Sequence, residues 1–430
     1  MKALHRRKLL TATAVLAVFG LAATAIPAQA AEVGVSSTEI KLGMTLPMTG
    51  TASLGYNKIP GAAKAYFDYL NANGGINGRK VTLVVKDDRY VPTEAVAKTN
   101  ELILKDKVMA LLAPLGTANV KAVASSVNPG RRGVPVLFVN TGFSGFADAK
   151  KYPTTYTVLP SYIMEAKMIG KYVKDTYPGK KVCLLYQDDD FGDDALVGFD
   201  KSHGNLDFAV KVAYPSLSQG VAGVPDSWVA KFKAGGCEVQ VVFGVATATL
   251  YTILAAAKAQ YAPKWVLGSV GADIASINPA AAPYIIGATS MSFLPSVVDP
   301  KDEYVAQFKE INTKYNPGAK FNSWALIGMN TAFVTVQALK AAGKNLTRKS
   351  LLAAFENGAS FPSAGLVPLN YSKTSNVGYN GYWFGTFNRS GDLVPNDTFT
   401  YTPYTTDSGT GDVVKSTYKR AAMPAKGLPN

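Results

Sequence analysis

Few side chains in this 430-residue chain are suited to covalent or metal chemistry. It has two cysteines, Cys183 and Cys237, and two histidines, His5 and His203. Two cysteines do not complete a tetrahedral zinc site without help from histidine. A Ser-His-Asp triad would depend on His203, which sits in the polar run Lys201-Ser202-His203-Gly204 and reads as a solvated surface residue. There is no G-x-S-x-G elbow, C-x-x-C pair, phosphate-binding P-loop or H-E-x-x-H helix. Asp190-Phe191-Gly192 spells a kinase triplet, but no glycine-rich loop, strand lysine or H-R-D accompanies it. The acids Asp188, Asp189, Asp190, Asp193 and Asp194 lack calcium-loop spacing, because Gly192 falls where a ligand is needed and the terminal Glu is missing. They read instead as a loop and helix start, where Asp is favoured. The chain is therefore expected to have no catalytic residues, no metal and no cofactor.

Charge is also sparse, at 17% of residues. The net charge is +14, and no Lys/Arg run is interleaved with aromatics, which argues against nucleic acid. Part of the excess lies in the first residues. Arg6, Arg7 and Lys8 precede an apolar stretch from Leu9 to Ile26, and Ala28-Gln29-Ala30 follows as a small-x-small cleavage pattern. Residues 1–30 are expected to be a cleaved signal peptide; the competing reading is an N-terminal membrane anchor. Arg6-Arg7 also resembles a twin-arginine signal, so the export route stays open between the general and twin-arginine pathways. No Cys follows the apolar run, which argues against a lipid anchor, and no later stretch is apolar enough to span a bilayer. Cleavage leaves 430 − 30 = 400 residues and removes four basic side chains, giving +10. The expected location is periplasmic or extracellular. There Cys183 and Cys237 could pair, or remain two buried thiols.

Four hundred residues exceed one hydrophobic core and imply two lobes. Strands and helices alternate. Strands are expected at Glu39–Leu46, Lys80–Lys86, Val108–Ala113 and Val134–Val139, separated by helices at Ile59–Asn73, Pro92–Lys105 and Thr117–Val127. The pattern restarts with helix Ser161–Thr176 and strands at Lys181–Tyr186, Ala209–Tyr214, Val239–Gly244 and Trp265–Leu267, with helices between them at Phe191–Lys201, Asp226–Ala234 and Thr247–Gln260. A strand at Ile286–Phe293, helices at Lys301–Tyr315, Ser323–Ala342 and Thr347–Asn357, and a late strand at Tyr382–Phe387 follow. Beyond Tyr404 the chain is polar and aperiodic and is expected to be loosely held. Single helices between strands imply parallel sheets with right-handed crossovers, an α/β class.

In such sheets ligands bind at the carboxyl ends of strands. Those ends carry small and hydroxyl residues: Pro47 to Leu54, then Pro114-Leu115-Gly116-Thr117-Ala118, then Asn140-Thr141-Gly142. Free N–H groups at a helix start beside a Thr hydroxyl suit a carboxylate, although Thr117 could simply cap its own helix. The run Asn71-Ala72-Asn73-Gly74-Gly75-Ile76-Asn77-Gly78-Arg79-Lys80, with Lys86-Asp87-Asp88 after it and Leu46-Pro47-Met48-Thr49-Gly50 before it, resembles the signature of periplasmic binding proteins of the branched-chain amino acid type. The likeness extends over most of Thr38 to Asp392, including the Asp190-Phe191-Gly192 turn.

That resemblance implies a periplasmic binding protein type 1 fold: two Rossmann-like lobes joined by a three-crossing hinge. Lobe 1 would comprise 35–155 and 287–364, and lobe 2 156–286 and 365–400, with a polar tail at 401–430. It implies a solute in the interlobe cleft, an ABC transporter membrane permease as partner, and a monomer. The carried-over ligand positions are Leu54, Leu115, Gly116, Thr117, Asn140, Thr141 and Gly142 from lobe 1, and Phe191, Val245, Ala246, Ser269 and Val270 from lobe 2. Amino-acid receptors of this type place an acid where Ser269 or Val270 stands, and a tyrosine where Leu54 stands. An ammonium shut in without an anion is costly. The solute is therefore expected to be a carboxylate with an apolar or aromatic body, with Asp273 the one nearby acid that could serve an amino acid instead. A sensor protein for a signalling partner and an exported α/β enzyme are the competing functions.

Overall fold

The computed structural model describes residues 32–202, 206–216, 224–358, 360–406 and 411–429. The expected signal peptide and His203 lie outside the described residues.

The first sheet has five parallel strands, β1 (Glu39–Leu46), β2 (Lys80–Asp87), β3 (Ala110–Leu112), β4 (Val136–Val139) and β5 (Thr155–Thr157), in the order β2-β1-β3-β4-β5. Alternation sets β1: Ile40, Leu42, Met44 and Leu46 are all fully buried. Helices α1 (Ile59–Ala72), α2 (Pro92–Leu104) and α3 (Thr117–Ser126) make the crossovers. The Gly74-Gly75 stop after α1 is required by conformation and space. Both glycines have positive φ, and a Cβ on Gly75 would lie 2.1 Å from the Arg79 carbonyl oxygen.

The second sheet begins after α4 (Tyr162–Thr176). Strands β6 (Val182–Gln187), β7 (Val210–Tyr214), β8 (Val239–Phe243) and β9 (Lys264–Leu267) are parallel and alternate with α5 (Asp190–Asp200), α6 (Val224–Ala234) and α7 (Ala246–Lys258). Short α8 (Ala282–Ile285) leads into β10 (Thr289–Ser292). Then α9 (Glu303–Tyr315), α10 (Ser323–Ala341) and α11 (Arg348–Glu356) return to the first lobe, with α10 packed along α1. The chain comes back to the second sheet as β11 (Tyr382–Phe387), antiparallel to β10, with β12 (Leu393–Val394), β13 (Pro403–Thr405) and β14 (Val414–Lys415) extending that edge. The protein thus has two Rossmann-like lobes joined by three crossings. At the crossings Leu366 N–H donates to Phe293 O (2.9 Å), and Tyr379 N–H donates to Val158 O (3.3 Å).

Two expectations are corrected. The strand expected at Ile286–Phe293 is shorter and belongs to the second sheet, where Thr289 pairs with Val266 of β9 and Ser290 Oγ donates to Leu267 O (2.8 Å). The return to lobe 1 therefore follows Ser292 rather than Ile286, because β10 satisfies its backbone on β9 and β11 before the chain leaves. The described residues beyond Tyr404 are not loosely held. They add strands to the second sheet, and the last turns carry hydrogen bonds to α1, α9 and α10. Polarity concealed this, because the backbone carbonyls make many of the contacts. The open question at Cys183 and Cys237 is resolved as a disulfide, with the Cα atoms 5.7 Å apart.

Candidate functional site

The carboxyl ends of both sheets face one another, and the lobes touch there through hydrogen bonds. The loop after β1 sends Tyr56 across. Its hydroxyl donates to Val270 O (3.2 Å) and accepts from Ala246 N–H (3.4 Å) at the start of α7. Thr247 Oγ1 donates to Thr51 O (2.8 Å). On the other flank Asp194 of α5 accepts from Ser144 N–H (2.6 Å) and Ser144 Oγ (2.7 Å), while Lys121 of α3 pairs with Asp190 at 2.5 Å. Burial pushes the Asp194 carboxyl up to about 6, against the two Ser144 bonds that favour its charged form.

Between these contacts and the crossings lies a cavity of about 100 Å³. That is several times the space needed for one water molecule. Lobe 1 contributes Tyr56, Asn140, Trp324 and Ile327 to its wall. Lobe 2 contributes Ser269, Val270, Asp273 and Asp392, and the chain leaving β10 contributes Phe293 to Val297. Trp324 stands at the start of α10, whose Asn322 cap accepts from Ala325 N–H, and its indole packs edge-on against Tyr56 at 4.8 Å. Its Nε1–H is buried without a partner, as is Ser296 Oγ on the same wall. Unpaired buried donors are costly, so both favour an acceptor in the cavity.

Of the residues carried over by resemblance, Asn140, Ser269 and Val270 line this cavity. The others do not. Thr117 and Thr141 are buried and bond each other at 2.7 Å, because their hydroxyls satisfy one another behind Asn140. Gly116 is closed over by the Tyr90 ring, which a Cβ there would meet at 2.7 Å. Leu115 bridges to Asn140 through backbone, and Gly142 is covered by Tyr162. Phe191 packs its ring on Tyr162 (4.6 Å) and Phe243 (5.0 Å). Val245 and Ala246 are buried at the start of α7, where their N–H groups are taken by Tyr214 and Tyr56. Leu54 packs on the lobe 1 core, and Tyr56, two residues later, reaches the cavity in its place.

No acid stands at Ser269 or Val270, and the acids on the cavity wall come from other positions. Asp273 lines the cavity and accepts from Ser323 Oγ across the lobes, and Asp392 lines it too. Burial, reinforced by Asp273, pushes the Asp392 carboxyl up. Behind Ser269 sits a third acid. Glu165 of α4 is fully buried and accepts from Ser269 N–H (2.6 Å), Ser269 Oγ (2.9 Å) and Tyr382 Oη (2.8 Å). Burial raises its pKa against these three bonds. It is a positioning residue that ties the cavity loop to α4 and to the third crossing. Sequence carried no signal for it, since an acid in a first helical turn is common and its partners are distant in the chain. Among the described residues no cluster of three or more His, Cys, Asp or Glu is suited to a metal, and no helix is long and apolar enough to cross a membrane.

Residues 39–392 match the model of the periplasmic binding protein family. The chain belongs to that family. An amino acid binding protein of Pseudomonas aeruginosa is 29% identical over 247 residues, which cover 55% of this chain and 59% of that protein. This periplasmic binding protein thus spans about three-fifths of that relative's length. Among solved structures, a branched chain amino acid ABC transporter protein from Thermus thermophilus with bound valine superposes with a TM-score of 0.73 at 18% identity, covering 87% of this chain and 98% of that one. A solute binding protein of an ABC transporter from Rhodopseudomonas palustris, in complex with 3,4-dihydroxy benzoic acid, gives 0.70 at 21% identity, covering 83% and 95%. At these identities the likeness establishes the shared fold.

Proposed function

We propose that this periplasmic binding protein is the extracytoplasmic solute receptor of an ABC importer, acting as a monomer that delivers its solute to a membrane permease. The solute is a small carboxylate-bearing molecule, amino acid-like or an aromatic or aliphatic acid, held between the lobes and buried as they close about the hinge. The observation that carries this reading is the cavity whose wall is drawn from both lobes and from the crossings, so that lobe movement opens and shuts it. Its surface is largely aromatic and aliphatic, with Trp324, Phe293, Leu294, Val297 and Trp383 for an apolar body. Related folds hold valine and 3,4-dihydroxy benzoic acid, which are the two kinds of solute in question. Closure makes and breaks no covalent bond, so catalysis has no part in this reading.

A thermal-shift series on the mature protein tests it, with valine, leucine, 3,4-dihydroxybenzoic acid and short aliphatic acids as probes. A solute at a hundred times its dissociation constant adds about 2.7 kcal/mol of stability. Stabilisation by amino acids assigns Asp273 or Asp392 to the ammonium, and stabilisation by aromatic acids alone leaves those aspartates as lobe contacts. No response to any carboxylate removes the proposed solute class.

A further inference from the structure

Three crossings join the lobes between β5 and β11, and the chain does not stop there. After β11 it builds β13 and β14 on the second sheet, then returns to the first lobe. We propose that this return is a fourth, non-covalently anchored hinge strand that restrains how far the lobes part. The proposal rests on the hinge-closure reading above.

Both ends of the strand are built in. On lobe 2, β14 pairs with β13, Ser416 N–H donates to Pro403 O (2.8 Å), and the buried Lys167 of α4 donates its ammonium to Gly411 O. On lobe 1 the anchor is Arg420. One guanidinium nitrogen pairs with Asp302 at 2.6 Å and another donates to Ala364 O (3.0 Å), at the third crossing. The guanidinium also lies over the Tyr304 ring at 4.7 Å. The pair is well shielded, with 16% of the Arg420 side chain and 4% of the Asp302 side chain exposed. Asp302 is at the same time the cap of α9, accepting from Tyr304 N–H and Val305 N–H. Beyond Arg420, Met423 N–H donates to Glu303 (2.7 Å), Tyr69 Oη to Lys426 O (2.5 Å) and Tyr66 Oη to Gly427 O (2.7 Å), and the Lys340 ammonium donates to Pro429 O.

Only residues 417–419 connect the two docked ends. Four Cα–Cα steps from Ser416 to Arg420 reach about 14 Å when fully extended. At this edge the lobes can separate no further without tearing out an anchor. The buried ion pair makes the lobe 1 end the harder to release, since breaking one leaves a charge uncompensated.

The test is the interlobe distance in the full mature chain, read by paired spin labels on cysteines placed at the exposed Ser126 and Ser227. A four-residue Gly-Ser insertion after Tyr418 keeps both docked ends and lengthens the bridge by up to about 14 Å. In solute-free protein the insertion is expected to widen the distance distribution and shift it outward. Arg420→Ala is expected to do the same, and to speed trypsin cleavage at Lys415 and Lys419 several-fold. Distributions that coincide for wild type and insertion overturn the proposal. The thermal-shift series separates this from the receptor reading. A carboxylate that stabilises wild type while the insertion changes nothing leaves the receptor and removes the strap. A widened distribution without stabilisation by any carboxylate leaves the strap and removes the solute class.

Discussion

Removing the Cys183–Cys237 disulfide is the perturbation whose size follows most directly from the fold. The bond joins the start of β6 to the residues just before β8, neighbouring strands that pair in parallel, across a sequence separation of 54. In the chain-entropy account, closing a loop of that length takes about 14 cal/mol/K from the unfolded chain, or about 4 kcal/mol at 25 °C. Cys183 is fully buried and Cys237 is 5% exposed, so the pair Cys183→Ala and Cys237→Ala also leaves two small voids. The loop carries α5, β7 and α6, and with them Asp190 and Asp194, which bind lobe 1. The double variant should therefore lose about 4 kcal/mol and hold its lobes together less well. Urea unfolding of wild type, oxidised and after reduction, and of the double variant measures it. Agreement between reduced wild type and the double variant, both well below oxidised wild type, is the expected result. A loss under about 1 kcal/mol, or free thiols titrating in the native protein, would refute the reasoning.

The Asp194 carboxyl, raised from 3.8 to about 6 by burial, titrates where it meets Ser144. Because the folded pKa is the higher one, this group's stabilising contribution is complete below about 3.8 and is lost as pH rises through about 6. The difference corresponds to about 3 kcal/mol, so Asp194→Asn should raise melting temperature at pH 7 relative to wild type and not at pH 4; parallel profiles would remove this account. Glu165→Ala strands the Ser269 N–H, the Ser269 hydroxyl and the Tyr382 hydroxyl, and should cost about 3 kcal/mol or more by denaturant titration. Glu165→Gln retains an acceptor oxygen and should cost clearly less. Tyr56→Phe loses the bonds to Ala246 and Val270 and should weaken binding of a stabilising carboxylate by about 1 kcal/mol, near fivefold, in calorimetry. An unchanged dissociation constant would count against Tyr56 as a bridge.

Much of the fold was legible locally. The alternation in Glu39–Leu46, the Gly74-Gly75 stop and the apolar period of Ile59–Ala72 each depend on neighbours in sequence, and so does the family resemblance. Most strand and helix positions therefore followed from side-chain spacing, whereas β5, the bounds of β10 and the edge strands β12 to β14 did not. The site did not, because the residues on the cavity wall are brought together from distant segments. Tyr56, Trp324 and Asp392 meet only after three crossings fold the lobes together, and nothing in their local sequence marks them. Asp273 stands close to Ser269 and Val270 in sequence, but its partner Ser323 is fifty residues away. The same holds for the tail. Its composition is polar and aperiodic, yet its place was decided by Arg420 finding Asp302 and by carbonyls meeting Tyr66 and Tyr69. Sequence determined the elements and the class, since those rest on short-range periodicity. Tertiary structure alone decided which hydroxyls satisfy each other, which acids face the cavity and where the chain is tied, since those depend on long-range partners.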